Sequence, residues 1–421
     1  MNFIAKIFYK LSRFFKSIKF YLIIAGPGII VMLADNDAGG ITTYAVTGST
    51  YGYGLIWLMI LLLPVCYYVQ KMTVRLGAVT KHGHAEAIFS GFGPFWGWFS
   101  LFDLVLTDWL TLVTEFVGMT AALSIFNIPP LLTTIIVIIL MVLMVIQGRY
   151  WTWEKIALVF CALNLIYIPA AIMLHPTVHD IIKTGLIPNF PGGLNNQMFF
   201  FLMANIGTTI APWMIFFQQS AVVDKGVQEK DIKNGSIDTF IGSLGTTIGA
   251  VFIIICTGTV LFGVNVTDAA QASIKLMGIN QYVGTFMAIG LFDAGFLGAI
   301  CISLASSWAF GEVFGWAHSL NNKVKQAPWF YLLYFFLLAG AGAVVLIPNA
   351  PLVLITLFVQ VIAVTLLPTA LVFLILLLND EKVMGRYKIT LHENLINITI
   401  VTVVIIVSTL YGISTIFPEL F

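Results

Sequence analysis

Two acidic residues lie in the middle of the first long apolar stretch of the chain, at Asp35 and Asp37, and Gly39 and Gly40 follow them. An ionised Asp at the centre of a bilayer costs about 2.5–3.5 kcal/mol. The other apolar stretches contain no Lys or Arg that could neutralise the pair. A cation must supply the missing charge, so we expect Asp37 to be a cation ligand. For Asp35, a vestibule role and a helix-capping role remain equally open.

A second interruption lies in another long apolar stretch, between Gly207 and Trp213, and centres on Pro212. Proline has no backbone N–H and therefore breaks the hydrogen-bond ladder of a helix. Non-helical backbone at membrane depth persists only where it lines a cavity or is buried in protein. Carboxylates at the first break, with backbone carbonyls freed at both breaks, provide the ligands of a cation site.

Other polar residues within apolar stretches are weaker signals. Asp103 and Asp108 lie nearer the end of the third stretch, where we expect an interfacial position. Glu115 lies deeper, and its residue type fits a proton site and a hydrogen-bonded structural acid equally well. We expect Asp293 to pack in the interior, and Gln360 is a polar group in an otherwise apolar helix.

Histidine and cysteine offer little metal-binding chemistry. The run from His82 to Glu86 contains two histidines and an acid, but we interpret it as part of a basic loop rather than as a metal site. All six histidines fall in loops or at the ends of apolar stretches, which excludes a membrane-centred imidazole relay. The four cysteines are isolated in apolar runs, so we interpret them as buried thiols without a disulfide framework.

The composition determines the elements that must position these residues. Of 421 residues, 59% are hydrophobic and 9% are charged, whereas a soluble domain carries roughly 25% charged residues. This excludes a soluble enzyme, a nucleic-acid binder and a disordered chain. The net charge of +1 gives no reason to expect a polyanionic partner. The composition therefore predicts a polytopic membrane protein that lies in the lipid bilayer.

Eleven apolar stretches approach the roughly 20 residues that a spanning helix needs. They centre near residues 33, 65, 110, 138, 164, 211, 251, 297, 338, 365 and 406. A cytoplasmic N-terminus then puts 18 of the 20 Lys and Arg residues in cytoplasmic segments, with Lys183 and Lys275 outside. The positive-inside rule therefore predicts a multi-pass cell-membrane protein with its C-terminus outside.

The two breaks fall in spans one and six, at the same place in two successive five-span halves. Paired interruptions of this kind indicate a transporter binding site between inverted repeats. We therefore predict an all-α membrane protein of eleven transmembrane helices, with helices 1 and 6 broken. A single transporter domain covers residues 1–421, with repeats at about 20–175 and 198–378 and an extra helix at about 394–416.

Short motifs in a fixed order carry a family resemblance. The two breaks contain Asp37-Ala38-Gly39-Gly40 and Ala211-Pro212-Trp213, and further matches are Gly26-Pro27-Gly28, Glu115-Phe116-Val117-Gly118 and Gln360 with Leu367-Pro368. Over nearly its whole length the chain resembles the natural resistance-associated macrophage protein (Nramp) family of divalent metal transporters. That family carries Asp-Pro-Gly-Asn and Met-Pro-His at the breaks, in the inverted-repeat fold first seen in a bacterial leucine transporter.

The resemblance implies a set of ion ligands. It assigns the Asp37 carboxylate and the carbonyls of Ala34 and Thr208 to the ion, with Gln360 joining in one conformation. Where the family has Asn and Met ligands, this chain has Gly40 and Ala211, and the resemblance implies open space there. The family's titratable residues beside the site are replaced by Trp213, Gln218 and Leu112. This combination resembles the Nramp-related magnesium transporter branch.

The lost side chains point to a hard cation. A thioether favours late transition metals, whereas carboxylate, carbonyl and water suit magnesium, calcium and manganese. Mg²⁺ also dehydrates reluctantly and usually keeps several waters. We therefore expect an alternating-access importer in a prokaryotic plasma membrane that prefers Mg²⁺, accepts Mn²⁺, needs no cofactor and is not proton-coupled.

Other functions remain open. The first is a proton-coupled transporter of transition metals such as Mn²⁺ and Fe²⁺ on the same fold. An intramembrane hydrolase is a remote alternative, since the spans offer neither a nucleophile with a base nor a His-rich metal site; we do not expect an enzyme. An organic-solute carrier would bring carboxylate substrates against Asp35 and Asp37. The sequence leaves the oligomeric state open, and we expect a monomer.

Overall fold

The computed structural model describes residues 26–348, 350 and 352–416, and within them it is helical, with no β-strand. The first half contains α1 (Pro27–Ala34), α2 (Ala38–Tyr51), α3 (Ile56–Thr80), α4 (His84–Phe92), α5 (Pro94–Ser124), α6 (Pro130–Val145), α7 (Tyr150–Leu163), α8 (Tyr167–Ile172) and α9 (Val178–Asp180). The second half contains α10 (Asn196–Thr209), α11 (Pro212–Lys225), α12 (Ile232–Val260), α13 (Ala269–Ile279), α14 (Gln281–Phe314), α15 (Pro328–Val345), α16 (Leu352–Asn379), α17 (Glu381–Met384) and α18 (Leu391–Ile416).

Seven helical stretches of the described residues are long and apolar enough to cross a membrane. They include α3, α12, α14 and α15. Shorter apolar helices match the predicted fourth and eleventh spans, and the predicted third span corresponds to α5, a 31-residue helix that carries three acids. The chain is thus an all-helical protein with several apolar helices, as a multi-pass membrane protein requires. The count of eleven spans and the two repeats stay predictions.

The helix α14 lies at the centre of the bundle. Most of its residues between Val283 and Glu312 are buried, including polar ones such as Asp293 and Ser306. Its most extensive contact is with α5, while α12 packs along α1, α2 and α3. Apolar side chains are exposed along outer helices, for example Leu131, Ile135 and Ile139 on α6. The bundle therefore buries its small and polar residues and presents large apolar ones to lipid.

Both predicted breaks are confirmed. The first predicted span is divided between α1, which ends at Ala34, and α2, which begins at Ala38. The second break separates α10 from α11, whose first residue is Pro212. The missing N–H of a proline costs no hydrogen bond there, because the first N–H groups of a helix have no partner within it. A third irregularity was not predicted: a 3-10 turn at Asn164–Ile166 separates α7 from α8. The basic segment predicted before the first span lies outside the described residues.

Candidate metal centre

Asp37 caps the second half of the first broken helix. Its Oδ1 accepts a hydrogen bond of 2.6 Å from the backbone N–H of Gly40, and the side chain is 2% exposed. The first N–H groups of a helix have no partner within the helix and carry partial positive charge. An ionised carboxylate is therefore stabilised at this position, inside the protein and at the break.

Glu115 of α5 reaches the same helix terminus. Its Oε2 accepts a hydrogen bond of 3.0 Å from the backbone N–H of Ala38. A Cβ added to Gly298 of α14 would lie 2.9 Å from Glu115 Oε2 and 3.2 Å from Asp37 Cβ. Two carboxylates thus share the start of α2 beneath a glycine of α14. A carboxyl that is protonated on its other oxygen accepts the same bond, so the proton-site role and the structural role of Glu115 both stay predictions.

Oxygen atoms from both breaks converge beside Gly40. A Cβ added to Gly40 would lie 2.5 Å from Thr208 Oγ1 and 3.3 Å from both the Asp35 carbonyl and Asp37 Oδ1. Thr208 Oγ1 is buried, and no described hydrogen-bond partner reaches it. The expectation of open space at Gly40 is therefore wrong, because the hydroxyl of Thr208 occupies it. The carboxylate, the hydroxyl and the carbonyl together form a set of hard oxygen ligands.

The helix α1 ends with one carbonyl that no described donor contacts. The carbonyls of residues 31–33 accept from the backbone N–H of Asp35 and from the side chains of Thr246 and Asn164. The N–H that would otherwise reach Ala34 belongs to Ala38 and is donated to Glu115 instead. The Ala34 carbonyl, at the negative end of a half-helix, thus stays available to a cation.

The end of α10 shows the same arrangement. The carbonyl of Ile206 accepts from Ile210 N, and that of Thr209 accepts from Cys66 Sγ at 3.1 Å. Between them, the carbonyl of Thr208 has no donor among the described residues outside its own helix. Each half-helix therefore directs a free carbonyl at the break. Both carbonyls are the ones that the family resemblance implies, and the Thr208 hydroxyl is an oxygen that sequence reasoning missed.

Gln360 and Asp35 complete the polar surroundings. The amide of Gln360 packs directly against Gly39, so a side chain at that glycine would displace it, and its Nε2 has no hydrogen-bond partner among the described residues. Asp35 is 1% exposed, and neither of its carboxylate oxygens has a described partner. Both side chains are therefore buried at the first break with unmet polar atoms. The Asp35 carboxylate therefore does not cap α1.

Comparison with known proteins identifies the family. The profile described as "Natural resistance-associated macrophage protein-like" matches residues 28–414. The chain belongs to this family. A relative named "Divalent metal cation transporter MntH", from Lacticaseibacillus casei, is 24% identical over 402 residues, which cover 89% of this chain and 85% of that protein.

Solved structures show that the fold is shared. The Eremococcus coleocola manganese transporter gives a TM-score of 0.75 at 19% identity and covers 93% of this chain and 86% of its own. MhsT in complex with L-phenylalanine gives a TM-score of 0.63 at 13% identity, covering 92% of this chain and 98% of its own. The leucine-transporter-like arrangement expected for an Nramp protein is therefore present.

Past Thr209, the side chains at the second break of this Nramp protein are mostly apolar. Ala211 is 4% exposed, and Trp213 is 1% exposed and packs on Phe217 with ring centroids 6.1 Å apart. The backbone N–H of Ala211 donates to Met214 Sδ at 3.3 Å, so the thioether nearest this break is engaged by the backbone. Gln218 lies further along α11 and donates to Thr239 Oγ1 at 2.8 Å. None of these side chains is an ionisable group.

The predicted loop and interfacial residues do not join the site. His84 Nδ1 lies 2.9 Å from Gln219 Oε1, whereas His82 Nδ1 lies 2.8 Å from Glu86 Oε1, so the histidines have separate partners. Asp108 is buried and accepts a hydrogen bond of 2.7 Å from Ser306 on α14. Within the described residues, no group of three or more His, Cys, Asp or Glu side chains could hold a metal ion. The breaks are the candidate centre because one carboxylate and several neutral oxygens converge there, not because they hold such a group.

A single carboxylate holds the N-terminal end of α1. Asp238 of α12 accepts hydrogen bonds from the backbone N–H groups of Gly26 at 2.9 Å, Gly28 at 2.8 Å and Ile29 at 3.4 Å. Beside it, Lys225 and Glu154 form a buried ion pair of 2.8 Å. We call the contact between Asp238 and these three N–H groups the inner lock. At this end of the bundle, a cavity of about 360 Å³ is lined by Gly28, Lys225 and Asp238.

The opposite end of the bundle holds a cavity of about 290 Å³. It is lined by Ala38, Thr114 and Gly118, which lie within three residues of Asp37 or Glu115 in the chain, and by Pro130 and Asp268. Cavities therefore lie at both ends of the bundle, and neither is lined by Asp37 or Thr208.

The crowding at Gly40 makes a testable prediction. Gly40→Ala and Thr208→Val should each lower Mg²⁺ affinity about tenfold, equivalent to about 1.4 kcal/mol, because each removes the Thr208 hydroxyl from the breaks. The combined variant should lose little more than either single one, since residues that act through one contact are not additive. Calorimetric Mg²⁺ titrations of the three variants measure this. Unchanged affinity in Gly40→Ala, or additive losses in the pair, would contradict the arrangement.

Proposed function

We propose that this protein is an alternating-access importer of divalent cations that prefers Mg²⁺ and accepts Mn²⁺. The matched relatives are named divalent metal cation transporters, and the matched structure is that of a manganese transporter. Such proteins are transporters and not enzymes. The finer assignment to Mg²⁺ is ours, and it depends on the chemistry of the two breaks.

The convergence of oxygen atoms at Gly40 carries the proposal. The Asp37 carboxylate, the Thr208 hydroxyl and the free carbonyls are all hard ligands. Where the family resemblance implies a thioether ligand, this chain has Ala211, and the sulfur of Met214 accepts a backbone hydrogen bond. Oxygen ligands suit Mg²⁺ and Mn²⁺, and soft sulfur favours later metals. The few protein ligands leave room for the waters that Mg²⁺ retains.

We infer alternating access from the cavities at the two ends of the bundle and from the hydrogen bonds that hold α1 to Asp238. An ion enters through the cavity at the Asp268 end and binds at the breaks. Release then requires that α1 move away from Asp238, which would open the other end. With the orientation that the Lys and Arg distribution predicts, the cavity faces the outside and the inner lock faces the cytoplasm. Transport is then inward, across the cell membrane.

A competition experiment tests the choice of ion. Purified protein should bind Mg²⁺ and Mn²⁺ with affinities within about tenfold of each other and Cd²⁺ no more tightly. The proton-coupled transition-metal alternative predicts strong Cd²⁺ and Mn²⁺ binding with little Mg²⁺ binding. Calorimetric titrations with each metal, followed by uptake into proteoliposomes, separate the two functions.

Transport should not be coupled to protons. Trp213, Gln218 and Leu112 replace titratable residues of the family, and Glu115 is hydrogen-bonded to Ala38. The membrane potential also suffices as a driving force. Two charges that move inward gain about 4.6 kcal/mol per 100 mV, enough for a gradient of more than ~10³-fold at about 1.4 kcal/mol per decade.

The measurement uses proteoliposomes that contain a pH-sensitive dye. Mg²⁺ uptake driven by a potassium diffusion potential should proceed without acidification of the interior, and its rate should not respond to an imposed pH gradient. A proton ionophore serves as the control for dye response. Acidification that tracks Mg²⁺ uptake would show that Glu115 or another group carries protons.

A further inference from the structure

A basic crevice lies at the same end of the bundle as the inner lock. It has a volume of about 680 Å³ and runs between α3, the start of α12 and the segment at residues 385–390. Six basic side chains line it: Lys71, Arg75, Lys230, Lys233, Arg386 and Lys388. We call this space the basic crevice. It is separate from the breaks and takes no part in the proposed path of the ion.

The charge of the crevice is only partly balanced. Glu393 forms ion pairs of 2.9 Å with both Lys71 and Arg75. These two ion pairs hold Glu393 as an ionised carboxylate. Arg386 lies 3.6 Å from Glu229, and Lys388 lies 4.0 Å from Glu381. Six positive charges therefore face three negative ones.

Two of the lysines are the crevice's available cations. No carboxylate of the described residues lies within 4.0 Å of the ammonium group of Lys230 or Lys233, and both side chains are exposed. Lys230 lies in the 3-10 turn Glu229–Asp231 and Lys233 lies at the start of α12, and both side chains line the crevice. An anion bound in the crevice would neutralise the charge of these two lysines.

The crevice continues into an apolar stripe that faces lipid. Ile237 lines the crevice, and along the same face of α12 Phe240, Ile241 and Leu244 follow, all four between 42% and 46% exposed. Their spacing of three, four and seven residues from Ile237 places them on one face of the helix. Tyr67 of α3 packs edge-on against Phe240, with ring centroids 5.5 Å apart. A polar, positively charged head region therefore adjoins an apolar groove.

We propose that the basic crevice binds the phosphate headgroup of an anionic phospholipid, with an acyl chain along the apolar stripe. Basic pockets between membrane helices on the cytoplasmic side bind anionic headgroups. Guanidinium and ammonium groups donate charge-assisted hydrogen bonds to phosphate oxygens. The stripe distinguishes a lipid from a free phosphate, because a soluble anion would use the charges and leave the stripe unused.

Native mass spectrometry of the detergent-purified protein tests the proposal. Phosphatidylglycerol and phosphatidylcholine with identical acyl chains are titrated, and we expect phosphatidylglycerol to bind at least tenfold more tightly. Each surface Lys or Arg contributes about fivefold to such attraction, so Lys230→Gln with Lys233→Gln should weaken phosphatidylglycerol binding about 25-fold. The matched control is Lys323→Gln with Lys325→Gln, two exposed lysines outside the crevice, and it should bind as the parent does.

Three outcomes would overturn the proposal. The first is equal binding of the two lipids, and the second is an equal loss in the control variant. The third is displacement of the bound lipid by glycerophosphoglycerol, the headgroup without acyl chains, at a concentration equal to that of the lipid. That last result would make the crevice a site for soluble phosphate compounds. Because the four lysines are exposed, unchanged Mg²⁺ affinity and a monodisperse elution profile verify that every variant is folded.

Discussion

Asp37→Ala is expected to abolish Mg²⁺ uptake into proteoliposomes and to lower Mg²⁺ affinity at least a hundredfold, equivalent to about 2.8 kcal/mol. The Asp37 carboxylate caps α2 with a 2.6 Å bond to Gly40 and lies beside the Thr208 hydroxyl. Without it, the converging ligands are neutral oxygens, which cannot offset the dehydration of a divalent cation. Folding should survive, because the substitution also removes a buried charge at membrane depth.

A second buried acid provides the control for Asp37. Asp293 on α14 is also 2% exposed, and neither of its carboxylate oxygens has a described hydrogen-bond partner. Asp293→Ala therefore removes an equally buried carboxylate that is not at the breaks, and its Mg²⁺ affinity should stay within about threefold of the parent's. Near-normal uptake by a monodisperse Asp37→Ala protein would disprove the site.

Ala211→Met is expected to reverse the preference of the transporter, with a gain in Cd²⁺ affinity of tenfold or more and a loss of Mg²⁺ transport. The substitution places a soft sulfur at the second break, where the backbone already approaches the ion. Its volume also takes space that a hydrated Mg²⁺ ion needs. Restoring an Asn at Gly40 is less informative, because Thr208 Oγ1 occupies that position.

The matched control for Ala211→Met is Ala211→Leu. Leucine fills a similar volume without a sulfur atom, so it should lose Mg²⁺ transport and gain no Cd²⁺ affinity. Calorimetric titrations with both metals compare the two variants. Equal Cd²⁺ affinity in the Met and Leu proteins would mean that selectivity is determined away from the second break.

The breaks could be predicted from the sequence because their causes are local. Pro212 removes a backbone donor wherever it lies in a helix, and acids beside glycines at membrane depth require a cavity. Which atoms fill the site, in contrast, depends on contacts between residues that are far apart in the chain. Whether Gly40 leaves a void depends on how closely α10 approaches α2, and the structure shows Thr208 there instead.

Contacts between distant helices account for the other omissions. Glu115 caps Ala38 across 77 residues of chain, and no spacing rule relates the two positions. The 3-10 turn at Asn164–Ile166 lies in an apolar stretch with no glycine at that point, and its Asn164 bonds to Asn36 at 3.1 Å. Which partner Asn164 meets is determined by the packing of the bundle.

The inner lock has a consequence for how the transporter can diverge. On the α1 side, the donors are the backbone N–H groups of Gly26, Gly28 and Ile29, which every residue except proline possesses. Substitutions in α1 can crowd the lock but cannot change the chemistry of its donors. The acceptor, in contrast, is one side chain, that of Asp238. One substitution at Asp238 can therefore change all three hydrogen bonds at once. Such a change can arise by selection, or by design where faster release of the ion is wanted.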